Sequence, residues 1–318
     1  MSSIKNHAKV AALECFRQAT LPYRWWKHWT AKQSNCMPLM VLYYHRVADV
    51  NPVAWSLSNA QFEAHIDWLA KRFEFISLEE VQTRMRTGNS SPAIHITFDD
   101  GYAENCDQAL PLLVNKGIPA TYFVTLDNVA SGNSFTHDQD AGIPFPVNTV
   151  EELRSLSSNG IEIGAHTRHH PSMGSLRHLP EIYDEMVSTK RELELLVHQP
   201  VRFFAFPFGM KPDLSHQAAA MARADGIECV VSAYGGYNFP GEDPFHVQRI
   251  HGDPELIRIR NALTFDPRHS TKSKFQLETD GLAVQEAIDF YDAQSKSTPN
   301  LFPGTSEAAV SDSLNPLT

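Results

Sequence analysis

Residues 93–101 of this chain read AIHITFDDG, which places a largely apolar run directly before two aspartates and a glycine. The apolar and β-branched side chains over 93–98 predict a buried β-strand, and Gly101 allows the turn that ends it. In a parallel α/β barrel, the carboxyl ends of the strands face the active site. Asp99 and Asp100 are therefore candidate catalytic residues, although Asp-Asp-Gly alone also fits an ordinary turn.

Similar apolar runs recur along the chain and alternate with segments of helical periodicity. This alternation is typical of parallel βαβ units. We predict strands over residues 38–44, 93–98, 120–125, 161–165, 203–206, 228–232 and 245–250, and helices over 61–72, 105–116, 149–158, 179–197 and 215–224. In a chain of 318 residues, about seven strands favour an α/β fold with one parallel barrel over two separate domains.

The ends of the chain differ from the predicted barrel, which we place at residues 38–265. Residues 1–37 form a basic, aromatic N-terminal extension, and the first 35 residues hold six Lys or Arg and one acid, a charge of +5. Two interpretations stay open for this extension: a helix packed on the barrel by its tryptophans, or an amphipathic segment in peripheral contact with an anionic membrane. Residues 266–296 predict a helical C-terminal extension, and residues 297–318, poor in charge, predict a disordered tail.

The composition excludes several classes of protein. A net charge of −10 lacks the basic footprint of a nucleic-acid binder, so we expect no nucleic-acid partner. Four scattered cysteines do not form a disulfide framework and fit a reducing compartment. No apolar run has the length of a secretory signal or a membrane span, which favours a cytoplasmic location, with peripheral membrane contact through residues 1–35 as an open interpretation. The sequence predicts no oligomeric state.

A second polar cluster, His166-Thr167-Arg168-His169-His170, follows the predicted strand at 161–165. The His-x-x-x-His spacing suits two imidazoles on one metal ion, although such a pair is also common on solvated loops. Combined with a strand-end aspartate, the pair makes a set of two histidines and one carboxylate. Three protein ligands leave a coordination position open for water, which is typical of a catalytic metal site.

A third element is the apolar strand at 203–206, which runs into Pro207-Phe208-Gly209. As a pattern it is a strand followed by a turn. Such a turn can also present a backbone N–H group to an oxyanion and an aromatic wall to a sugar ring.

In this order and spacing, the three elements resemble the polysaccharide deacetylase family, the NodB-homology domain of carbohydrate esterase family 4. The Thr-Phe-Asp-Asp-Gly motif of that family is matched by residues 97–101, its His-Ser/Thr-x-x-His motif by residues 166–170, and its Pro-Tyr-Gly turn by residues 207–209. Residues 43–47 (YYHRV) and 117–123 (GIPATYF) add to the likeness, which runs from about 38 to 260. It implies a distorted (β/α)7-type, NodB-like barrel.

The resemblance also implies roles for individual residues. Asp100, His166 and His170 would bind a divalent metal, usually Zn²⁺, with Co²⁺, Ni²⁺ or Mn²⁺ as alternatives. Asp99 would be the general base, and the N–H group of Phe208 would stabilise the oxyanion. Thr167 would support the ligands, and we expect His169 to lie at the surface.

The late part of the sequence departs from the family pattern. The arginine that orients the base, the Asp and Trp of the fourth motif and the late Leu-x-x-His motif have no clear match. Arg249 is our candidate for the orienting arginine and His251 for the general acid, with His45 as the alternative acid or a substrate contact. Aromatic substrate contacts would come from Phe208, Tyr234 and Tyr237.

The resemblance predicts a metal-dependent hydrolase that removes acetyl groups, most often N-acetyl, from a hexosamine-containing glycan or its precursor. Two alternatives stay open. A glycan-binding protein could keep the barrel and the metal without an efficient acid, and related barrels hydrolyse C–N bonds of cyclic imides or allantoin-like molecules. An open groove lined by aromatic residues would favour a sugar chain, and a closed deep pocket would favour a small molecule.

Overall fold

Parallel strands form the centre of the fold. The computed structural model describes residues 2–270 and 272–296, and side chains from residue 8 onward; the predicted tail 297–318 lies outside these residues. In this part of the chain the strands are β1 (Leu39–Tyr44), β2 (Arg46–Val47), β3 (Ser56–Leu57), β4 (Glu74–Phe75), β5 (Ala93–Phe98), β6 (Ala120–Val124), β7 (Ile161–Ala165), β8 (Phe203–Ala205), β9 (Cys229–Ser232), β10 (His246–Gln248) and β11 (Ile250–His251).

The main sheet has the order β10-β9-β8-β7-β6-β5-β1-β11, and each neighbouring pair is parallel. The two outermost strands, β10 and β11, are separated in the chain by Arg249 alone. They therefore occupy one strand position, which pairs with β9 on one side and β1 on the other. The sheet closes into a seven-position barrel, which confirms the predicted α/β barrel of parallel strands.

Helices surround this barrel. They are α1 (Ser2–Gln33), α2 (Asn59–Ala70), α3 (Leu78–Thr87), α4 (Ala109–Asn115), α5 (Leu126–Ser131), α6 (Thr136–Asp140), α7 (Val150–Ser158), α8 (Leu179–Tyr183), α9 (Thr189–Val197), α10 (His216–Ala224), α11 (Leu256–Ala262), α12 (Pro267–Ser270) and α13 (Leu282–Ser295). A π-helical turn, Asp184–Ser188, joins α8 to α9, so the predicted helix at 179–197 is continuous.

The strands are buried on both faces, as expected for parallel strands covered by helices. All six residues of β5 are buried. Alternate strand residues such as Val41, Phe123 and Val231 form an interior cluster with Leu78 and Val81 of α3. The opposite strand faces pack against the outer helices. This packing holds the strand ends rigidly, which is what a catalytic site at the carboxyl ends requires.

One predicted helix is shorter than expected. Instead of a helix over 105–116, the chain forms a 3₁₀ turn, Ala103–Cys106, before α4. The buried Asn105 explains the difference, because its side chain bonds to the segment that follows β1. It accepts from the Val47 N–H (2.9 Å) and donates to the His45 carbonyl (2.7 Å).

The N-terminal helix α1 packs along the barrel through a buried arginine. Arg24 donates to the backbone carbonyls of Asn261 (2.8 Å) and Thr264 (3.0 Å). At the other end, α13 packs on α10 and buries Val284 and Ala287. No helix among the described residues combines the length and the apolar character needed to cross a bilayer. The predicted domain boundaries stay predictions.

Candidate metal and catalytic site

Three ligand-type side chains meet at the carboxyl ends of β5 and β7. Asp100 Oδ1 lies 3.3 Å from His170 Nε2 and 3.5 Å from His166 Nε2. One ligand atom from each of the three residues lies within 4.8 Å of the others. Two imidazole nitrogens and one carboxylate oxygen at this separation fit a divalent cation such as Zn²⁺.

The orientation of His166 also fits a metal ligand. Its Nδ1 lies 2.8 Å from the backbone carbonyl of Ala205, which can only accept, so Nδ1 carries the proton. Nε2, which faces Asp100, is then the ring nitrogen available to a cation. A backbone carbonyl that fixes the ring in this way is a common support of metal-binding histidines.

Charge and burial keep the ligands in the forms that bind cations. Burial alone would raise the pKa of Asp100, but its hydrogen bonds with His166 and His170 outweigh that effect and hold the pKa well below its usual range. Burial lowers the pKa of His170, against the opposing influence of Asp100. An ionised carboxylate and a neutral imidazole are the states that coordinate metal.

The backbone of the site is strained. Asp100, Thr167, His170 and Phe208 have φ values of 77°, 65°, 63° and 59°, a region that residues with a Cβ rarely adopt. Contacts hold the strained turn around His170 in place, since its N–H donates to Thr167 Oγ1 at 2.9 Å. Backbone strain of this kind is typically found at functional sites, where the surrounding structure maintains it.

The neighbouring Asp99 has a different partner. Arg249 holds its carboxylate with two hydrogen bonds, of 2.6 Å to Oδ1 and 2.8 Å to Oδ2. The Arg249 side chain is fully buried and also donates to Thr97 Oγ1 (3.0 Å) and the Ser232 carbonyl (3.2 Å). The two adjacent aspartates therefore have different partners: Asp100 faces the histidines, and Asp99 faces the arginine that lies between β10 and β11.

Both aspartates line one cavity of about 440 Å³. Its wall combines acidic, histidine and aromatic side chains with few aliphatic ones. The lining residues are Tyr43, His45, Trp55, Asp99, Asp100, Tyr102, His137, His166, His170, Phe206, Phe208 and Ala233. Phe208 is 60% exposed and His137 is also exposed, so the cavity is open to solvent at this side.

The Pro-Phe-Gly turn lies at the metal side of the cavity. The Phe208 ring is 5.1 Å from the His170 ring. The turn needs Gly209, because φ is 62° there and a Cβ would lie only 2.6 Å from the Ala233 nitrogen. Among the described residues, the Phe208 N–H has no hydrogen-bond acceptor, which leaves it available to a ligand.

The two candidate acids are placed differently. His45 lines the cavity, and its Nδ1 is buried without a hydrogen-bond partner among the described residues. His251 lies behind it: its ring is 5.1 Å from that of Tyr43, and it borders a neighbouring cavity with Asp253 and Arg258. Burial lowers the pKa of His251 to about 4. The structure thus brings His45, and not His251, to the catalytic cavity.

The two tyrosines predicted to contact substrate do not line the cavity. Tyr237 is 2% exposed and its hydroxyl donates to the Ala262 carbonyl at 2.6 Å. The hydroxyl of Tyr234 accepts from the Phe275 N–H at 2.9 Å. The hydroxyls of both residues are thus bonded to backbone groups of residues that do not line the cavity.

Sequence reasoning missed three cavity residues that come from outside the central strands. Trp55 stacks on Tyr102 with ring centroids 5.1 Å apart, and the Tyr102 hydroxyl donates to Asp138 at 2.9 Å. His137 lies at the same wall, 3.4 Å from the Tyr102 hydroxyl. No periodic pattern indicates these residues; only Tyr102 has a sequence feature that suggests a place in the site, since it directly follows the Asp-Asp-Gly turn.

By contrast, the exposed position expected for His169 is observed, and its Nδ1 lies 2.6 Å from Glu185.

Comparisons with known proteins agree with this site and fold. Residues 86–227, which contain all three motifs, match the family described as polysaccharide deacetylase. The YxkH protein of Bacillus subtilis is 28% identical over 222 residues, which cover 69% of this chain and 72% of that protein. A poly-β-1,6-N-acetyl-D-glucosamine N-deacetylase of Staphylococcus aureus strain MRSA252 is 24% identical over 198 residues, which cover 55% of this chain and 66% of that protein.

A solved structure shares the architecture. The Streptococcus pyogenes deacetylase PplD, determined in complex with acetate, superposes with a TM-score of 0.61 at 18% identity. The match covers 73% of this chain and 99% of that one, and at this identity it shows the fold alone. The family match across the three motifs, together with the relatives that extend beyond it, shows that this chain is similar to polysaccharide deacetylases.

Proposed function

We propose that this protein is a metal-dependent hydrolase that removes acetyl groups, most often N-acetyl, from a hexosamine-containing glycan or its precursor. One observation carries the proposal: the Asp100-His166-His170 cluster and the arginine-held Asp99 line the same open cavity. A site that only binds metal or sugar has no use for a second carboxylate fixed beside the ligands.

Asp100, His166 and His170 would hold the cation. When bound in a site with three protein ligands, Zn²⁺ supplies an acidified water and a Lewis acid for the acetyl carbonyl. The carbonyl of Ala205 keeps His166 in the required tautomer. The strained turns at Asp100 and His170 fix the ligand positions before the substrate arrives.

Asp99 would act as the general base. Its carboxylate is 3% exposed and oriented by two hydrogen bonds from Arg249, so it reaches the cavity in one orientation. It accepts the proton that water loses as the new C–O bond to the acetyl carbon forms. Arg249 remains charged throughout and compensates the buried carboxylate before the proton arrives.

Two further groups would complete the reaction. The free N–H of Phe208 stabilises the negative charge on the carbonyl oxygen. His45, with its unpartnered Nδ1 at the cavity wall, donates a proton to the leaving amine as the C–N bond breaks. The products are acetate and a free amine on the sugar: the proton that Asp99 took from water restores the one that His45 gave to the amine, and the other water proton leaves the new carboxyl group to solvent.

The cavity wall supports a sugar substrate. Trp55, stacked on the buried Tyr102, and the exposed Phe208 beside His170 offer the flat apolar surfaces on which sugar rings pack. The opening toward solvent favours a chain of sugars over an enclosed small molecule. The S. aureus relative, named for poly-β-1,6-N-acetyl-D-glucosamine, supports an N-acetylglucosamine oligomer as the first substrate to test.

The test is acetate release from β-1,4- and β-1,6-linked N-acetylglucosamine oligomers and from O-acetylated oligosaccharides. Wild-type protein is compared in zinc-loaded and chelator-stripped form, with Asp99→Asn as an isosteric control. We expect zinc-dependent release by the wild type and its near-complete loss in the control. Zinc binding without release from any acetylated sugar would contradict the proposal and favour a binding protein or a small-molecule C–N hydrolase.

A further inference from the structure

A group of exposed tryptophans lies on α1, away from the catalytic cavity. Trp25, Trp26 and Trp29 are 73%, 52% and 53% exposed, and Leu21 is 37% exposed. At about 100° per residue, these four side chains fall in one sector of about 140° on the helix. We call this surface the tryptophan face. Large apolar side chains grouped in this way, rather than scattered singly, mark an interaction surface.

The tryptophan face is not used to pack α1 against the barrel. The buried Arg24 makes that contact, through Asn261 and Thr264. Tyr23 adds a hydrogen bond of 3.2 Å to Ser270 from the same side of the helix. The expectation that the tryptophans themselves attach the helix is therefore wrong. The barrel fixes α1 in place and presents its tryptophans to solvent.

The surroundings of the tryptophan face are basic. The Lys27 ammonium lies 5.3 Å from the centre of the Trp26 ring, Lys32 is exposed on the same helix, and the exposed Arg72 follows α2. Arg72 also lines an apolar cavity of about 340 Å³ that borders Leu21 and Trp25. The first 35 residues carry +5, which leaves −15 for the remainder of the chain. This part of the surface is thus apolar at its centre and cationic at its edge.

We propose that the tryptophan face binds the surface of an anionic lipid bilayer. Tryptophan favours the boundary between headgroups and acyl chains, and lysines and arginines beside it are attracted to anionic headgroups. A helix with an apolar face and a basic edge lies in the plane of the membrane interface and does not cross the bilayer. The adjoining cavity has room for part of an acyl chain.

A second copy of the chain is a less suitable partner for the tryptophan face than a lipid bilayer. The other exposed large apolar residues among those described are Val50, Leu195, Phe208, Met210 and Leu282. Val50, Leu195 and Leu282 lie on separate elements, and Phe208 and Met210 belong to the turn at the catalytic cavity. Apart from the tryptophan face itself, whose basic surroundings would repel those of a second copy, the described residues offer no comparable apolar surface on another molecule of the same chain.

The experiment is flotation of the full-length protein with vesicles of phosphatidylcholine mixed with phosphatidylglycerol, and with phosphatidylcholine vesicles alone. A variant with Trp25→Ser, Trp26→Ser and Trp29→Ser is compared with a matched variant carrying Leu195→Ser and Leu282→Ser. We expect binding to the anionic vesicles to fall by about tenfold or more in the tryptophan variant and to stay unchanged in the matched one. Thermal melts verify that both variants fold.

A second variant, with Lys32→Glu and Arg72→Glu, keeps the test independent of the tryptophans. Its affinity should fall by about tenfold for the anionic vesicles and little for the neutral ones. The proposal is overturned if wild-type protein does not bind anionic vesicles, or if the tryptophan variant binds as wild type does. Self-association that disappears in the tryptophan variant, without vesicle binding, would assign the face to a second copy instead.

Discussion

The two halves of the catalytic cavity are built in different ways. In the motif half, after β5 and β7, each pair of site residues is close in sequence: Asp99 with Asp100, and His166 with His170. The other half, which we call the closure half, lies where β10 and β11 close the barrel. There Arg249 contacts Asp99, although 150 residues separate the two in the chain, because the closure brings them together. The comparison teaches that local motifs provide the ligand cluster, whereas barrel closure positions the candidate base.

This difference has a chemical consequence. Disrupting the motif half should remove the metal and the activity together, because the ligands come from it. Disrupting the closure half should leave metal binding intact and affect proton transfer. Metal affinity and catalytic rate are thus two readouts that distinguish the halves.

The largest effect is expected in the motif half. His166→Ala removes a candidate metal ligand whose ring is fixed by the Ala205 carbonyl. We expect zinc affinity to fall beyond detection by calorimetry and kcat/KM for acetate release to fall by about 10³-fold or more. The surface substitution His169→Ala in the same loop is the matched control. Full activity of His166→Ala without bound zinc would contradict the claim that activity depends on ligands from the motif half.

A smaller effect is expected from the candidate acid, His45. His45→Ala removes the imidazole that lines the cavity, and we expect kcat to fall by about 10²-fold with zinc affinity unchanged. His251→Ala should change kcat by less than about threefold, since that ring lies outside the cavity lining. Measuring kcat against pH for both variants decides between them. The reverse order of effects would restore His251 as the acid.

The closure half is tested next by Arg249→Lys. Lysine keeps the positive charge but cannot hold both oxygens of Asp99, which now accept bonds of 2.6 and 2.8 Å. We expect kcat to fall by about 10- to 100-fold while zinc affinity stays within about twofold. A matched substitution of a surface arginine, Arg223→Lys, should leave both values unchanged. Loss of zinc in Arg249→Lys would contradict the division between the halves.

The aromatic wall should contribute less than either half. Trp55→Ala removes the ring stacked on Tyr102, and we expect KM for an oligomer to rise by about three- to tenfold with little change in kcat. The effect should shrink for a monosaccharide, which has fewer rings to stack. Trp68→Ala, outside the cavity, is the control. An equal effect on short and long substrates would argue against a sugar-binding wall.

The smallest effect concerns the stability of the closure half. Burial lowers the pKa of His246 and of His251 to about 4, below the value of about 6.5 expected in the unfolded chain. Between pH 6.5 and 4 the unfolded state binds more protons, so stability falls as the pH falls. When the pH is lowered over this range, the melting temperature of the His251→Asn variant should decrease by a few degrees less than that of the wild type. An unchanged slope would mean that His251 titrates normally.

Much of this structure could be predicted from the sequence, because the decisive signals are local. The strands at 93–98 and 161–165 were predicted with their observed bounds, since each is an apolar run that ends at a polar cluster. Neither Tyr234 nor Tyr237 could be placed in this way, because the glycines between them remove any strand periodicity. Trp55 and His137, which lie outside the central strands, reach the cavity by tertiary packing, and no sequence period indicates that packing.

Arg249 is the instructive intermediate case. The resemblance predicts an arginine beside the base, and the strand-end position of Arg249 makes it a candidate. Its bidentate contact with Asp99 depends on the break between β10 and β11, where one residue turns inward between two short strands. Such a break depends on how the barrel closes, and a single sequence does not specify it.

The central claim is that the adjacent aspartates have separate tasks, and one measurement tests it directly: zinc titration by calorimetry of the isosteric variants Asp99→Asn and Asp100→Asn. We predict that Asp100→Asn weakens zinc binding by about 10²-fold or more. Asp99→Asn should bind zinc within a fewfold of wild type while losing acetate release. Equal loss of zinc in both variants, or loss in Asp99→Asn alone, would contradict the assignment of Asp100 as ligand and Asp99 as base.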